Sequence, residues 1–257
     1  MNVLLWLAAI LFILMVLIGG KKGVRSFLSL FLNIGVLFVA IFFMTNPDNS
    51  PIIITFIACT LISWISLFYI NEKNSKTITA FISTMITIVI LLLFIVIVTE
   101  KSKIQGFGEE STEELSMFSL YIGVNFAQIG ASVIIMSTIG AILDVAISIA
   151  SSMHEIYHHN PIISRKKLFT SGLNIGKDIL GTDTNTLFFA FFGGYLGLLI
   201  WFKDLSYSIG EIVNSKVFST EIITIFCAGI GIALIIPITA SVNAYYLLKT
   251  REKSENN

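Results

Sequence analysis

Long apolar stretches recur along the whole chain, and they constrain its fold more than any other feature of the sequence. Each is about 16 to 33 residues long, against about 20 residues that a helix needs to cross the hydrocarbon of a bilayer. Hydrophobic residues make up 55% of the chain and charged residues only 12%, and the mean hydropathy is +0.89. The sequence therefore predicts an all-α polytopic membrane protein.

The stretches predict seven transmembrane helices. Their boundaries are 3–18, 26–44, 51–70, 77–98, 124–156, 184–202 and 221–248. No linker or repeat divides the chain, so residues 1–257 are predicted to form a single integral membrane domain: an extra N-terminal helix 3–18, a six-helix bundle 26–248 and a cytosolic tail 249–257. A signal peptide is the alternative for 3–18. It is disfavoured because basic residues are missing before the apolar run and Lys21-Lys22 follow it.

The distribution of basic residues predicts the orientation. Twelve fall on one side of the predicted helices: Lys21, Lys22, Arg25, Lys73, Lys76, Arg165, Lys166, Lys167, Lys177, Lys249, Arg251 and Lys253. Four fall on the other: Lys101, Lys103, Lys203 and Lys216. Since short cytoplasmic loops carry the excess of Lys and Arg, the C-terminus is predicted to be cytosolic and the N-terminus outside. Lys73 and Arg165 should then face the cytosol, and Glu110 and Glu211 the outside.

Charge and cysteine content indicate little extramembrane chemistry. The chain has 16 basic and 16 acidic side chains, and this balance gives no indication of nucleic-acid binding. An acidic segment that includes Glu109, Glu110, Glu113 and Glu114 is predicted to be a solvated outer loop, with a cation funnel as the alternative. Cys59 and Cys227 lie inside predicted helices and are expected to be packing residues. No cofactor is predicted.

A polar stripe on the fifth predicted helix is the main candidate site. Ser137, Gly140, Asp144, Ser148, Ser151 and Glu155 are spaced 3, 4, 4, 3 and 4 residues apart and share one helical face. A carboxylate near the bilayer midplane costs several kcal/mol unless it is compensated, so Asp144 is predicted to bind a proton or an ion. The alternative is a tight helix interface of small residues, with Gly140 at its centre and Ile142 facing lipid.

A second polar face precedes the sixth predicted helix. It comprises Asn174, Asp178, Thr182, Asp183 and Asn185. Residues up to about Gly181 are predicted to lie along the membrane surface as an amphipathic helix, with a bend near Gly181 that leads into the sixth helix. This arrangement would bring Asp178, Asp183 and Asn185 to the inner mouth of the fifth helix. For Asp183 an ordinary capping role is the equal alternative.

The sequence His154-Glu-Ile-Tyr-His158 fits the His-Glu-x-x-His zinc motif, in which the two His bind the metal and Glu155 would activate water. A third ligand is also needed, and Asn46-Pro47-Asp48 resembles the element that supplies it in intramembrane metalloproteases. The predicted topology separates the two elements by a full bilayer. An interfacial histidine cluster is therefore favoured, and the protein is predicted not to be an enzyme.

Residues 137–192 resemble the YibE/F-like family of bacterial multi-span membrane proteins. The resemblance rests on Gly-Ala-Ile-Leu-Asp-Val-Ala-Ile-Ser-Ile-Ala-Ser-Ser, on Asn160-Pro161, on Asn-Ile-Gly-Lys-Asp-Ile-Leu-Gly-Thr and on Thr-Asn-Thr-Leu. The family has no established biochemical activity, so the resemblance names no reaction. This chain looks like the short type of member, which often occurs with a companion. The resemblance to this family implies that the protein lies in the bacterial inner membrane.

The sequence Gly140-x-x-x-Asp144-x-Ala146-Ile147 is also similar to the proton-coupling helix of resistance-nodulation-division transporters and of SecD and SecF. The last six predicted helices would correspond to one half of such a bundle. The large outer domain of those exporters is reduced here to residues 45–50, and Val145 replaces the second Asp of drug exporters. The resemblance implies a transport or translocation subunit, acting with a companion YibE/F-like subunit or as a homo-oligomer. A purely structural subunit is the alternative.

Overall fold

The protein is an all-helical assembly, seen in a computed structural model that describes residues 3–104 and 123–255. The part described contains no strand. Its helices are α1 (Val3–Met44), α2 (Pro51–Trp64), α3 (Ser75–Ser102), α4 (Phe126–His159), α5 (Arg165–Gly194), α6 (Leu196–Asp204), α7 (Ile209–Asn214) and α8 (Lys216–Glu255). A π-helical turn, Ile65–Tyr69, continues α2. Glu109, Glu110, Glu113 and Glu114, and with them the predicted outer loop, lie outside the described residues.

Helix α1 reverses direction at Gly20. This residue has φ 54° and ψ −131°, a conformation that glycine adopts without strain. The rings of Phe12 and Phe27 lie 4.9 Å apart, and a Cβ on Gly23 would collide with the backbone of Met15. In a straight helix those residues would be well separated, so α1 consists of two antiparallel arms. They coincide closely with the first two apolar stretches of the sequence.

Within residues 3–104 and 123–255, five helices are long and apolar enough to cross a membrane: α1, α2 with its π-helical turn, α3, α4 and α8. The bent pair α5 and α6 makes six if it forms one broken span. The protein is thus a multi-pass membrane protein by the length and composition of its helices. The count of seven, which treats the two arms of α1 as separate spans, stays a prediction.

Helix α4 occupies the centre of the bundle. It packs between α3 and α8, with α2 and α5 further out, and α1 contacts mainly α2. At Gly231 the helices approach closely, since an added Cβ would lie 3.0 Å from Leu91 Cδ1 and 3.2 Å from Ile142 Cδ1. Cys59 and Cys227 are both buried and unpaired, in keeping with a packing role.

Helix α5 differs from its prediction. It runs without interruption from Arg165 to Gly194, and a Cβ on Gly172 or Gly176 would collide with Ala240 or Ile236 of α8. The predicted bend near Gly181 is therefore wrong, because α5 is continuous there and these glycines let it pack antiparallel along α8. The location of its first part along the membrane surface stays a prediction. The chain bends by 53° between Gly194 and Leu196 instead.

The bend has a local cause. Gly193 and Gly194, which have low helix propensity, immediately precede it. Tyr195 lies at the bend and donates a hydrogen bond from its hydroxyl to Glu221 Oε1 at 2.7 Å. This bond ties the junction of α5 and α6 to the first part of α8.

Contacts between helix ends define the two ends of the bundle. At one end, Arg25 forms an ion pair with Glu72 at 2.7 Å, and the Arg165 guanidinium lies 5.2 Å from the centre of the Tyr245 ring. We call this the basic end. At the other end, Pro47 of the α1–α2 connection packs on Gly123, just before α4.

Candidate functional site

The polar stripe of α4 lies on the surface of the bundle. Ser137, Gly140, Asp144, Ser148 and Glu155 are exposed, and Ser151 is half-buried. A Cβ built on Gly140 would meet no atom within 4 Å. Among the described residues, no helix of this chain covers Gly140. The described part of the chain therefore forms no close helix interface at Gly140.

The opposite face of α4 forms the core. Val145, Ala146, Ile149 and Ala150 are fully buried there. Ile142 is also on this face and is only 1% exposed, so the prediction that it faces lipid is wrong. Its side chain fills the space beside Gly231, where α3 and α8 meet α4.

Local sequence explains where α4 begins. The Asn125 side chain accepts hydrogen bonds from the backbone N–H groups of Ala127, at 3.1 Å, and Gln128, at 3.2 Å. Such a cap satisfies donors that the first turn leaves unpaired. The helix then continues for 34 residues, which places Asp144 near its middle and far from either end.

Asp183 of α5 is close enough to Asp144 for the two carboxylates to interact electrostatically. It lies in the interior of α5, so the alternative that it caps a helix is wrong. The two facing helices thus supply two carboxylates to the same region of the bundle surface.

The rest of the second polar face extends along α5 on both sides of Asp183. Asn174, Asp178, Thr182 and Asn185 are all exposed. Asn174 is nine residues before Asp183, which is about 13 Å along the helix axis. The Thr182 hydroxyl donates to the backbone carbonyl groups of Asp178 and Ile179. The inner-mouth assignment of these four residues remains a prediction.

A buried polar cluster between α3 and α8 was missed by sequence reasoning. Thr79 donates its hydroxyl to Asn243 Oδ1 at 2.8 Å, and Asn243 donates to the carbonyl of Thr239 at 3.0 Å. The hydroxyl oxygens of Thr84 and Thr239 are buried and have no hydrogen-bond partner within the described part of the protein. The repetition of Thr and Ser at positions 79, 83, 84 and 87 was a signal for this polar face.

The histidine motif lies near the last turns of α4. Glu155 Oε1 is 3.3 Å from His159 Nε2, and both side chains are well exposed. The Asn46-Pro47-Asp48 element instead shares a cavity with Asn125 and Gln128 at the first turn of α4. From Asn125 to His154 the helix rises about 43 Å. Within residues 3–104 and 123–255, no three His, Cys, Asp or Glu are grouped as a metal site would require.

Comparison with known proteins supplies the relationship of the chain. No curated protein and no solved structure matches it. One family model, described as YibE/F-like protein, matches residues 7–249. The match covers nearly all of the chain, including α4 with its polar stripe and the greater part of both arms of α1. The chain belongs to the YibE/F-like family.

Proposed function

We propose that the protein is a membrane-embedded transport or translocation subunit in which Asp144 binds and releases a proton or a cation. One observation carries the proposal. Asp144 is exposed near the middle of a long apolar helix, and no described helix of this chain covers Gly140 one turn away. An ionisable side chain at that depth is costly and therefore rare outside pathways for ions, protons or substrates.

The neighbouring acid strengthens this interpretation. Asp183 interacts electrostatically with Asp144 from the facing helix α5. Two carboxylates close together in a medium of low dielectric constant tend to share a proton or to hold a cation between them. Ser148 and Ser151, one and two turns further along α4 in the direction of Glu155, add hydroxyl groups on the same side. Together they supply oxygen ligands suited to a proton or a small hard cation.

The exposed stripe is also suited to packing against a helix of a partner subunit. Small residues such as Gly140 let a second helix approach closely in lipid, and Ser hydroxyls bond across such contacts. The second helix would belong to a companion YibE/F-like subunit or to a second copy of this chain. The similarity of Gly140-x-x-x-Asp144 to the coupling helix of resistance-nodulation-division transporters and of SecD and SecF favours the same arrangement, with the substrate handled by the partner.

We further propose that the protein lies in the bacterial inner membrane with its basic end in the cytosol. Single cysteines at positions 73, 165 and 211, in a background without Cys59 and Cys227, test this with an impermeant thiol reagent. Positions 73 and 165 should react only in inverted vesicles, and position 211 only in intact cells. Labelling of position 165 from outside would overturn the orientation.

The functional test is Asp144→Asn. This change keeps the size of the side chain and some of its hydrogen bonding but removes titration. The variant should reach the membrane in normal amount and fail to complement a deletion strain, whereas Asp144→Glu should restore part of the activity. Asp204→Asn, which neutralises an exposed acid on α6, is the matched control and should complement fully.

Two outcomes would favour a different function. A fully active Asp144→Asn variant at normal abundance would contradict coupling and leave the stripe as a structural or assembly surface. Loss of activity with both His154→Ala and His158→Ala would instead favour the metal-dependent enzyme, the third and least supported function.

A further inference from the structure

A groove opens at the basic end of the bundle, where α2 ends. It has a volume of about 830 Å³ and lies between the second arm of α1, the π-helical turn and the start of α3. Its walls are aromatic and aliphatic, and its rim carries two cations. The lining residues are Arg25, Trp64, Phe68, Tyr69, Lys73, Ile78 and Phe81.

The apolar walls are organised by a contact between two helices. The rings of Phe68 and Phe81 lie 5.3 Å apart, so the π-helical turn and α3 together form one continuous wall. Trp64 lies one turn earlier and is 54% exposed. Trp and Tyr are enriched where the hydrocarbon meets the headgroups, and the groove has both, at Trp64 and Tyr69. The lining of the groove is thus of the type found at that interface.

The rim carries more positive than negative charge. One nitrogen of Arg25 contacts Glu72 Oε1 at 2.7 Å, and a guanidinium has further N–H donors for an anion. Lys73 is exposed and forms no ion pair with the residues that the structure describes. Lys21, Lys22 and Lys76 lie within a few residues in sequence and add to the local positive potential. Glu72 is the one acid at this rim among the neighbours just named.

We propose that this groove is a binding site for an anionic phospholipid. The phosphate would lie between Arg25 and Lys73, and an acyl chain would run along Trp64, Phe68 and Phe81. Basic pockets between helices at the cytoplasmic side of a membrane favour anionic headgroups. A free phosphate would use the cations but would leave the aromatic wall uncovered, whereas a zwitterionic lipid would place its own cation beside Arg25 and Lys73. The charge and the shape of the groove together fit one class of ligand.

The test is native mass spectrometry of the full-length protein taken from vesicles of phosphatidylcholine with one fifth phosphatidylglycerol. The wild type should retain phosphatidylglycerol in preference to phosphatidylcholine. Arg25→Gln with Lys73→Gln should lower the apparent affinity about fivefold for each cation removed. The matched control, Lys101→Gln with Lys203→Gln, removes two exposed cations from the other end and should leave retention unchanged. Glu72→Gln should increase retention, because it removes the acid that competes for Arg25.

Three results would overturn the site. Equal loss of phosphatidylglycerol in the control pair would mean that the lipid binds through the general surface charge of the protein. Unchanged retention in the double variant of Arg25 and Lys73 would mean that these two cations do not bind the lipid. Displacement of the bound lipid by millimolar glycerol phosphate would show a site for soluble phosphate. If the double variant fails to fold, as judged by its thermal unfolding, Lys73→Gln alone is tested, and it should lower the apparent affinity for phosphatidylglycerol about fivefold.

Discussion

The two faces of α4 use different chemistry. The face that includes Ile142, Val145 and Ile149 is buried against α3 and α8, and its side chains fill the core. The face that includes Gly140, Asp144 and Ser148 is exposed and has a carboxylate near the middle of the helix. Both are parts of one continuous helix of 34 residues, so a movement of the bundle that displaces one face also displaces the other.

This difference separates the residues that stabilise the chain from those available to another molecule. The core face contributes to folding through close packing, which in lipid replaces the hydrophobic effect as the force between helices. The exposed face makes few contacts inside the chain, so changes there should affect assembly and function more than stability.

The largest effect on stability is expected from overpacking between α5 and α8. Gly176→Leu would push a side chain into Ile236, and the free energy of unfolding should fall by about 1–3 kcal/mol or more. The midpoint of thermal unfolding in mild detergent measures it. Gly140→Leu is the matched control, because its added atoms meet open space. Equal destabilisation by both changes would contradict the distinction between the two faces.

For assembly, the substitution at Gly140 should have a larger effect than the substitution at Gly176. Gly140→Leu should weaken association of the protein with its partner or second copy by about tenfold, because a bulky side chain keeps helices apart in lipid. Crosslinking in native membranes, followed by size-exclusion chromatography, measures the assembled fraction. Gly181→Leu, at another exposed glycine with open space around it, tests whether α5 shares the interface. Undiminished association of the Gly140 variant would exclude the stripe as a contact surface.

A smaller effect is expected in the buried polar cluster of α3 and α8. Asn243→Leu removes the acceptor of the Thr79 hydroxyl. It should lower the free energy of unfolding by about 0.6 kcal/mol, and by about 1.7 kcal/mol at most. Thr239→Val should be neutral or slightly stabilising, because the Thr239 hydroxyl has no partner among the described residues. Chemical or thermal unfolding of the two variants in parallel provides the comparison. Marked destabilisation by Thr239→Val would indicate a bound water or ion at this hydroxyl.

The smallest effect is expected at α7, away from both faces. Hydrogen bonds from the Ser208 backbone N–H and from its hydroxyl lower the pKa of Glu211 below its ordinary value. Because the folded-state pKa is the lower one, this local stabilisation is present above the ordinary pKa of a glutamate and is lost as the pH falls through the folded-state value. A carboxyl NMR titration measures the pKa, and Ser208→Ala should raise it. An unchanged pKa in that variant would contradict the capping arrangement.

Sequence reasoning reached the helical membrane class and the polar stripe, because hydrophobic length and helical spacing are local properties, and it reached the family through the resemblance of residues 137–192. It misplaced Ile142 because core-facing and lipid-facing residues are equally apolar in a membrane protein. It placed the bend at Gly181 because glycine often ends helices. In the folded chain Gly172 and Gly176 serve close packing on α8 instead. The proximity of Asp183 to Asp144 depends on the antiparallel course of α5, a tertiary feature that no local pattern encodes.

The most direct test of the exposed face is whether Asp144 changes its protonation state. Infrared difference spectra of the reconstituted protein, recorded across pH and with or without sodium, report protonated carboxyl groups individually when compared with a variant. We expect a pH-dependent carboxyl band that is missing in Asp144→Asn and unchanged in Asp204→Asn. Sodium should shift the titration of this band if the coupled ion is a cation. Identical difference spectra for the wild type and Asp144→Asn, over the range in which both stay folded, would contradict it.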